Sequence, residues 1–125
     1  MATHAVAYLV KAGHNVIELY NFGSPRVGNV KFSQWFDNVV KANKVRVTHG
    51  KDPVPHLPNH DWGYNHIAHE YYYKGNKNDG FITCSDSSSK EDSNCSDKNL
   101  ADVDVHAHLS YYDIDFTAII LGCQA

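Results

Sequence analysis

Val16-Ile17-Glu18-Leu19-Tyr20-Asn21-Phe22 runs straight into Gly23-Ser24-Pro25-Arg26-Val27-Gly28, and this passage decides the fold. Val16, Ile17, Leu19, Tyr20 and Phe22 put apolar side chains on both faces of an extended chain. A strand needs that pattern when helices cover both sides of a parallel sheet. The Gly-Ser-Pro passage then reads as the loop that ends the strand. Upstream, Ala2, Ala5, Val6, Leu9 and Val10 fall at helical spacing, and Gly13 sits where a helix over Ala2 to Ala12 would stop. Downstream, Asn29 is placed to cap a second amphipathic helix built on Phe32, Trp35, Phe36, Val39 and Val40. Lys44 to His49 follows as another short strand, with Val45 and Val47 alternating. The order helix, strand, helix, strand predicts an α/β fold with a mostly parallel sheet.

Past His49 the character changes. Pro53, Pro55 and Pro58 exclude a helix or central strand over Lys51 to Pro58. His66 to Tyr73 is aromatic and strand-like, with Gly80 to Cys84 as its hairpin partner. Residues 85–99 form a polar, mobile loop rich in Ser, Asp and Lys, and His106 to Ala125 returns to apolar residues that dock on the sheet.

With 125 residues the chain is one domain's worth of sequence. Eleven Lys and Arg against fourteen Asp and Glu give a net charge of -3 without a basic run, which argues against a nucleic-acid partner. The longest apolar stretch, Phe116 to Gly122, is far short of the roughly 18 residues of a membrane span. Met1 is not followed by a signal-peptide pattern. Cys84 and Cys95 flank the polar loop without metal-binding spacing. They read either as a disulfide in an oxidising compartment or as two unpaired thiols. A bridged Cys95 would make the Asn94-Cys95-Ser96 glycosylation acceptor hard to use.

Chemistry is expected at Asp52, just past the carboxyl end of a predicted parallel strand, where open α/β sheets collect their functional groups. Pro53 holds the backbone of Asp52 extended, a stiff mount for a carboxylate that fixes one imidazole tautomer. An ordinary turn-forming Asp is the competing reading. Nine histidines raise the question of a metal, with close pairs His56 and His60, His66 and His69, His106 and His108. Pro58 keeps the first pair off one helical face, and no Cys or carboxylate trio completes a site beside the others, so none is assigned as a metal site. His108 lies 56 residues after Asp52, and the chain order Asp then His is the one an α/β-hydrolase triad requires after its nucleophile.

Three stretches together resemble the class 3 (fungal-type) triacylglycerol lipases. They are Glu18 to Asn29, Arg46 to Pro58, and Ala107-His108-Leu109-Ser110-Tyr111-Tyr112; Gly63-Tyr64-Asn65-His66 and the Cys84 to Cys95 loop fall in the family's order between them. The resemblance covers nearly all of residues 1–125. It implies the C-terminal part of an α/β-hydrolase domain, without its N-terminal strands, acting on lipid or small ester substrates with no cofactor. It also implies Asp52 as triad acid, His108 as base, and a secreted protein. The family's nucleophile stands on a G-x-S-x-G turn, and these 125 residues contain none. The helix Ala2 to Ala12 resembles the one that follows that turn, which places the Ser about five residues before Met1. Neither Ser24, in a loop without the elbow spacing, nor Ser110, beside the base, replaces it.

The expectation is therefore a lipase fragment carrying two of three triad members, inactive alone, whose missing N-terminal half is its natural partner. Met1 would be an internal methionine of a longer reading frame, and Cys123 would pair with a cysteine upstream. The strand Val16 to Phe22 would be left as an apolar edge prone to aggregation. Two other readings stand beside this one: a non-catalytic lipid- or protein-binding module on a lipase scaffold, and a His-rich metal protein.

Overall fold

The structure, a computed structural model, describes residues 1–117 and 122. Helix α1 spans Ala2–Lys11 and strand β1 Glu18–Phe22; strand β2 (Gly28–Asn29) leads into helix α2, Val30–Val39. Asn29 caps α2, its side chain accepting from the Phe32 amide at 2.9 Å. Strand β3 (Asn43–His49) follows, then β4 (Tyr64–Asn65), β5 (Glu70–Tyr73) and β6 (Ile82–Thr83). Helix α3 (Val105–Leu109) and the hairpin β7 (Ser110–Tyr111) and β8 (Ile114–Asp115) complete the α-helices and strands among the described residues.

The main sheet has the order β1-β3-β5-β6. β1 and β5 run parallel to β3, in register at Phe22 with Val47 and at His49 with Tyr73, and β6 is antiparallel to β5. The expected α/β arrangement is present, and Gly80 to Cys84 supplies the hairpin partner at Ile82–Thr83. The aromatic strand is shorter than predicted. His69 takes a left-handed φ of 73°, so pairing begins only at Glu70.

Burial of β1 departs from its sequence. Val6 of α1, Leu19 of β1 and Phe36 of α2 belong to one core cluster, so both helices cover the same face. On the other face Tyr20 is 47% and Phe22 50% exposed, and strand β1 itself begins at Glu18 rather than Val16. There Tyr20, Phe22, Val45, Tyr71, Phe81 and Tyr112 line an open groove of about 410 Å³. Two-sided apolarity marks a strand made for two covers; among the described residues, one is present.

The face of β3 opposite Val45 and Val47 buries Lys44, Arg46 and Thr48. A buried cation needs a partner, and each finds one. Lys44 pairs with Asp37 at 3.2 Å, and Arg46 with Glu70 at 3.1 Å and Asp86 at 3.2 Å. Glu70 also accepts from the Thr48 hydroxyl and the Ser96 amide, and its carboxyl lies below its ordinary range because Arg46 and these donors outweigh its burial. The polar segment 85–99, expected to be mobile, is tied into this network. Cys84 and Cys95 form a disulfide, Asp86 reaches Arg46, and Glu91 forms a two-pronged pair with Arg26 at 2.6 and 2.7 Å. Of the segment His106 to Ala125, expected to dock on the sheet, Tyr111 does so, joining Val47 and Tyr73 in a second core cluster, while residues 118–121 and 123–125 lie outside the described residues. Cys123 and its pairing lie outside the described residues.

Candidate functional site

The carboxyl end of β3 sets the site. After His49 the chain turns at Gly50, whose amide bonds the Tyr73 carbonyl at 2.8 Å, and the Asp52 amide bonds back to the His49 carbonyl at 3.0 Å. Asp52 is 2% exposed. Its Oδ1 accepts from the Val54 amide at 2.8 Å, the bond that orders the turn into Pro53-Val54.

His108 comes from the other end of the chain. Asp104 caps α3 by accepting from the His106 amide, and its own amide bonds the Lys51 carbonyl at 2.8 Å, so the helix is fastened to the turn beside Asp52. His49 adds a second tie, its Nδ1 donating to the Ala107 carbonyl at 3.0 Å. The result brings His108 Nδ1 to 3.0 Å from Asp52 Oδ2. A carboxylate oxygen accepts, so Nδ1 carries the proton and Nε2 is left as the basic nitrogen. The His108 side chain is 35% exposed while that of Asp52 is 1% exposed: the acid is enclosed and the imidazole opens outward.

Two further residues meet at Asp52 Oδ2. The Tyr111 hydroxyl donates to it at 2.6 Å, and burial together with the neighbouring carboxylate pushes that phenol far up, so it stays protonated. Gly23, at the end of β1, has φ +56°, and its amide bonds the Val47 carbonyl. A Cβ at this position would stand 2.7 Å from Asp52 Oδ2, 2.8 Å from the Tyr111 hydroxyl and 2.9 Å from His108 Nδ1. Only glycine lets β1 pass this close to the pair. The sequence pointed to Asp52 and His108 and missed these two. Tyr111 stands in β7, past the end of α3, and Gly23 at a strand end, and neither place carries a sequence signal that points to Asp52.

The other histidine pairs go elsewhere. His66 is buried and donates from Nε2 to the Pro55 carbonyl, and burial with the nearby Arg46 holds it well below the ordinary 6.5. His56 is lowered for the same first reason, with Arg26 contributing. Among the described residues, the trio close enough to hold a metal is Glu70, Cys84 and Cys95, and its two sulfurs are bonded to each other. No helix among the described residues is long and apolar enough to cross a membrane.

Comparison with known proteins adds the following. Residues 1–62 match the family model "Lipase (class 3)". A secreted mono- and diacylglycerol lipase of Fusarium solani is 45% identical over 86 residues, covering 69% of this chain and 25% of that protein. A lipase of Rhizomucor miehei is 34% identical over 100 residues, covering 78% of this chain and 26% of it. The solved structure of lipase II from Rhizopus niveus superposes with a TM-score of 0.81 at 26% identity, over 91% of this chain and 43% of that one. The chain thus spans a quarter of the curated relatives' length and about two-fifths of the solved lipase.

Proposed function

This chain belongs, over the part of the domain that it spans, to the class 3 lipase family with its α/β-hydrolase fold, and from that premise we propose that Asp52 and His108 are the acid and base of a serine-hydrolase triad acting on acylglycerol or related carboxylic esters. The contact of His108 Nδ1 with the enclosed Asp52 carboxylate carries this reading. Nε2 would take the proton of a serine hydroxyl as it attacks the ester carbonyl and deliver it to the departing alcohol. Asp52 would hold the tautomer and stabilise the imidazolium. The 125 residues hold no G-x-S-x-G, so the nucleophile is assigned to the part of the family domain outside this chain. Alone, the pair would have nothing to activate. The steps assigned here call on no cofactor. The disulfide and the relatives named as secreted support an extracellular site of action.

Hydrolysis of p-nitrophenyl butyrate tests the reading. The chain alone is expected to turn over no faster than His108→Ala. Joined behind the nucleophile-bearing half of the Rhizomucor miehei lipase, it should gain activity that falls on the order of 10³-fold or more in His108→Ala. Activity of the chain alone that vanishes in His108→Ala would place a nucleophile within these residues. Activity of the joined protein that survives His108→Ala would remove the base. The open aromatic groove on the sheet favours one second reading, a binding module without turnover. That reading predicts no gain in the joined protein.

A further inference from the structure

Asp52 Oδ2 receives two donors, the His108 ring nitrogen and the Tyr111 hydroxyl, while Oδ1 receives the Val54 amide. A carboxylate held by one ring nitrogen and one amide still has a free lone pair beside the imidazole, and a change of rotation would exchange which oxygen faces it. Tyr111 occupies that lone pair. It is itself fixed: 3% exposed, with its ring edge-on to Phe22, His49 and Tyr73 at centroid distances of 5.6 to 6.1 Å. The two-residue turn from β7 to β8 has left-handed φ at both Tyr112 (53°) and Asp113 (62°), the conformation of a tight hairpin. The Tyr112 amide donates to the Tyr73 hydroxyl at 2.9 Å, and their rings stack at 5.1 Å. The hairpin is thereby clamped to β5, and Tyr111 has no room to withdraw.

We propose that Tyr111 is a positioning residue of this site: by bonding the same carboxylate oxygen as His108, its hydroxyl fixes the rotation of Asp52 and, through it, the tautomer and orientation of the imidazole. The proposal rests on reading Asp52 and His108 as acid and base. It adds a group that touches neither substrate nor nucleophile. In a hydrolase cycle the imidazole must keep Nε2 aimed at one point through two proton transfers, and a carboxylate free to rotate would let it wander.

The test is nuclear magnetic resonance of the 125-residue chain with labelled histidine, following the tautomer of His108 and the exchange of its Nδ1 proton with water. Tyr111→Phe keeps the ring and removes the hydroxyl. Tyr112→Phe removes a hydroxyl from the same aromatic cluster without touching Asp52 or the bond to Tyr73 that clamps the hairpin, and reports on packing alone. In Tyr111→Phe the Nδ1 proton should exchange on the order of tenfold faster, with the second tautomer appearing, since a bond to a charged group is lost. Tyr112→Phe should match the unaltered chain. Equal behaviour of Tyr111→Phe and the unaltered chain, or equal change in both variants, would overturn the proposal. A second measurement needs no variant: the Tyr111 hydroxyl proton should give a direct through-space signal to the His108 Nδ1 proton, and its absence would also overturn it. Asp52→Asn separates the underlying reading. If His108 is indifferent to that change, the acid–base pair itself fails, whatever Tyr111 does.

Discussion

Gly23→Ala puts a single methyl group where three atoms of the site converge. Its carbon would stand 2.7, 2.8 and 2.9 Å from Asp52 Oδ2, the Tyr111 hydroxyl and His108 Nδ1, whereas ordinary contact begins near 3.4 Å. Each atom must retreat by about 0.5 to 0.7 Å, and because they surround one point they retreat from one another. That opens the 3.0 Å bond between His108 and Asp52 to about 3.5 Å, the edge of hydrogen-bonding range. Three costs follow. An alanine at φ +56° costs about 1–2 kcal/mol, crowding a packed site about 1–3 kcal/mol, and weakening a bond to the carboxylate about 1.5 kcal/mol or more. Gly13 offers the control. It has φ +84° with nothing within 4 Å of its added carbon, so Gly13→Ala carries only the backbone cost. Urea denaturation at neutral pH should therefore show Gly23→Ala less stable than Gly13→Ala by about 2–4 kcal/mol. Equal losses in the two variants would refute the claim that β1 is pressed against the Asp52–His108 pair.

Two further outcomes are expected. His66 is held well below 6.5 in the folded chain, so the unfolded chain binds its proton more readily. Its contribution is therefore complete above about pH 6.5 and is lost as pH falls below that, at up to about 1.4 kcal/mol per pH unit. His66→Gln should flatten the dependence of stability on pH between about 5 and 6.5, and parallel curves for the two proteins would count against it. The paired change Cys84→Ser with Cys95→Ser opens a bridge across 11 positions, and the neighbouring Ser96 amide is a donor to buried Glu70. A loss of about 3 kcal/mol, or roughly 10 °C in melting temperature, is expected by calorimetry; a shift under about 2 °C would mean that the ion pairs of segment 85–99 hold it without the bridge.

The parts of the fold that could be read from sequence are those fixed by local period. The helices follow from apolar residues at i, i+3 and i+4 and the Asn29 cap, and β3 from the alternation of Val45 and Val47. What local period does not carry is which charge answers which. Arg46 meets Glu70 across 24 positions and Asp86 across 40, and Arg26 meets Glu91 across 65. In the sequence, Asp86 and Glu91 look like members of a solvated polar run. Their burial follows from Arg46 on β3 and Arg26 after β1, and no window of ten or twenty residues contains both ends of such a pair. The burial of β1 was misjudged for a related reason. Apolarity reports the environment a strand is suited to, and the side of β1 carrying Tyr20 and Phe22 is suited to a cover that the described residues do not provide.

The site divides along the same line. The place of Asp52, just past a parallel strand and before a proline, was legible because it is a property of topology, and the role proposed for His108 came from chain order and family likeness. Tyr111 and Gly23 owe their places to geometry alone. One depends on a two-residue turn with left-handed φ at Tyr112 and Asp113, neither of them glycine, and the other on how closely β1 passes behind the carboxylate. Neither property has a residue pattern of its own. Yet the Tyr111 bond is shorter than the one between Asp52 and His108 and falls on the same oxygen, the one that a Cβ at Gly23 would crowd. The chemistry proposed at Nε2 would need the whole arrangement: a base whose other nitrogen is held, an acid whose rotation is held, and a backbone that leaves room for both. The residues that do the holding are chosen by shape, so they become visible only once the strands are in place.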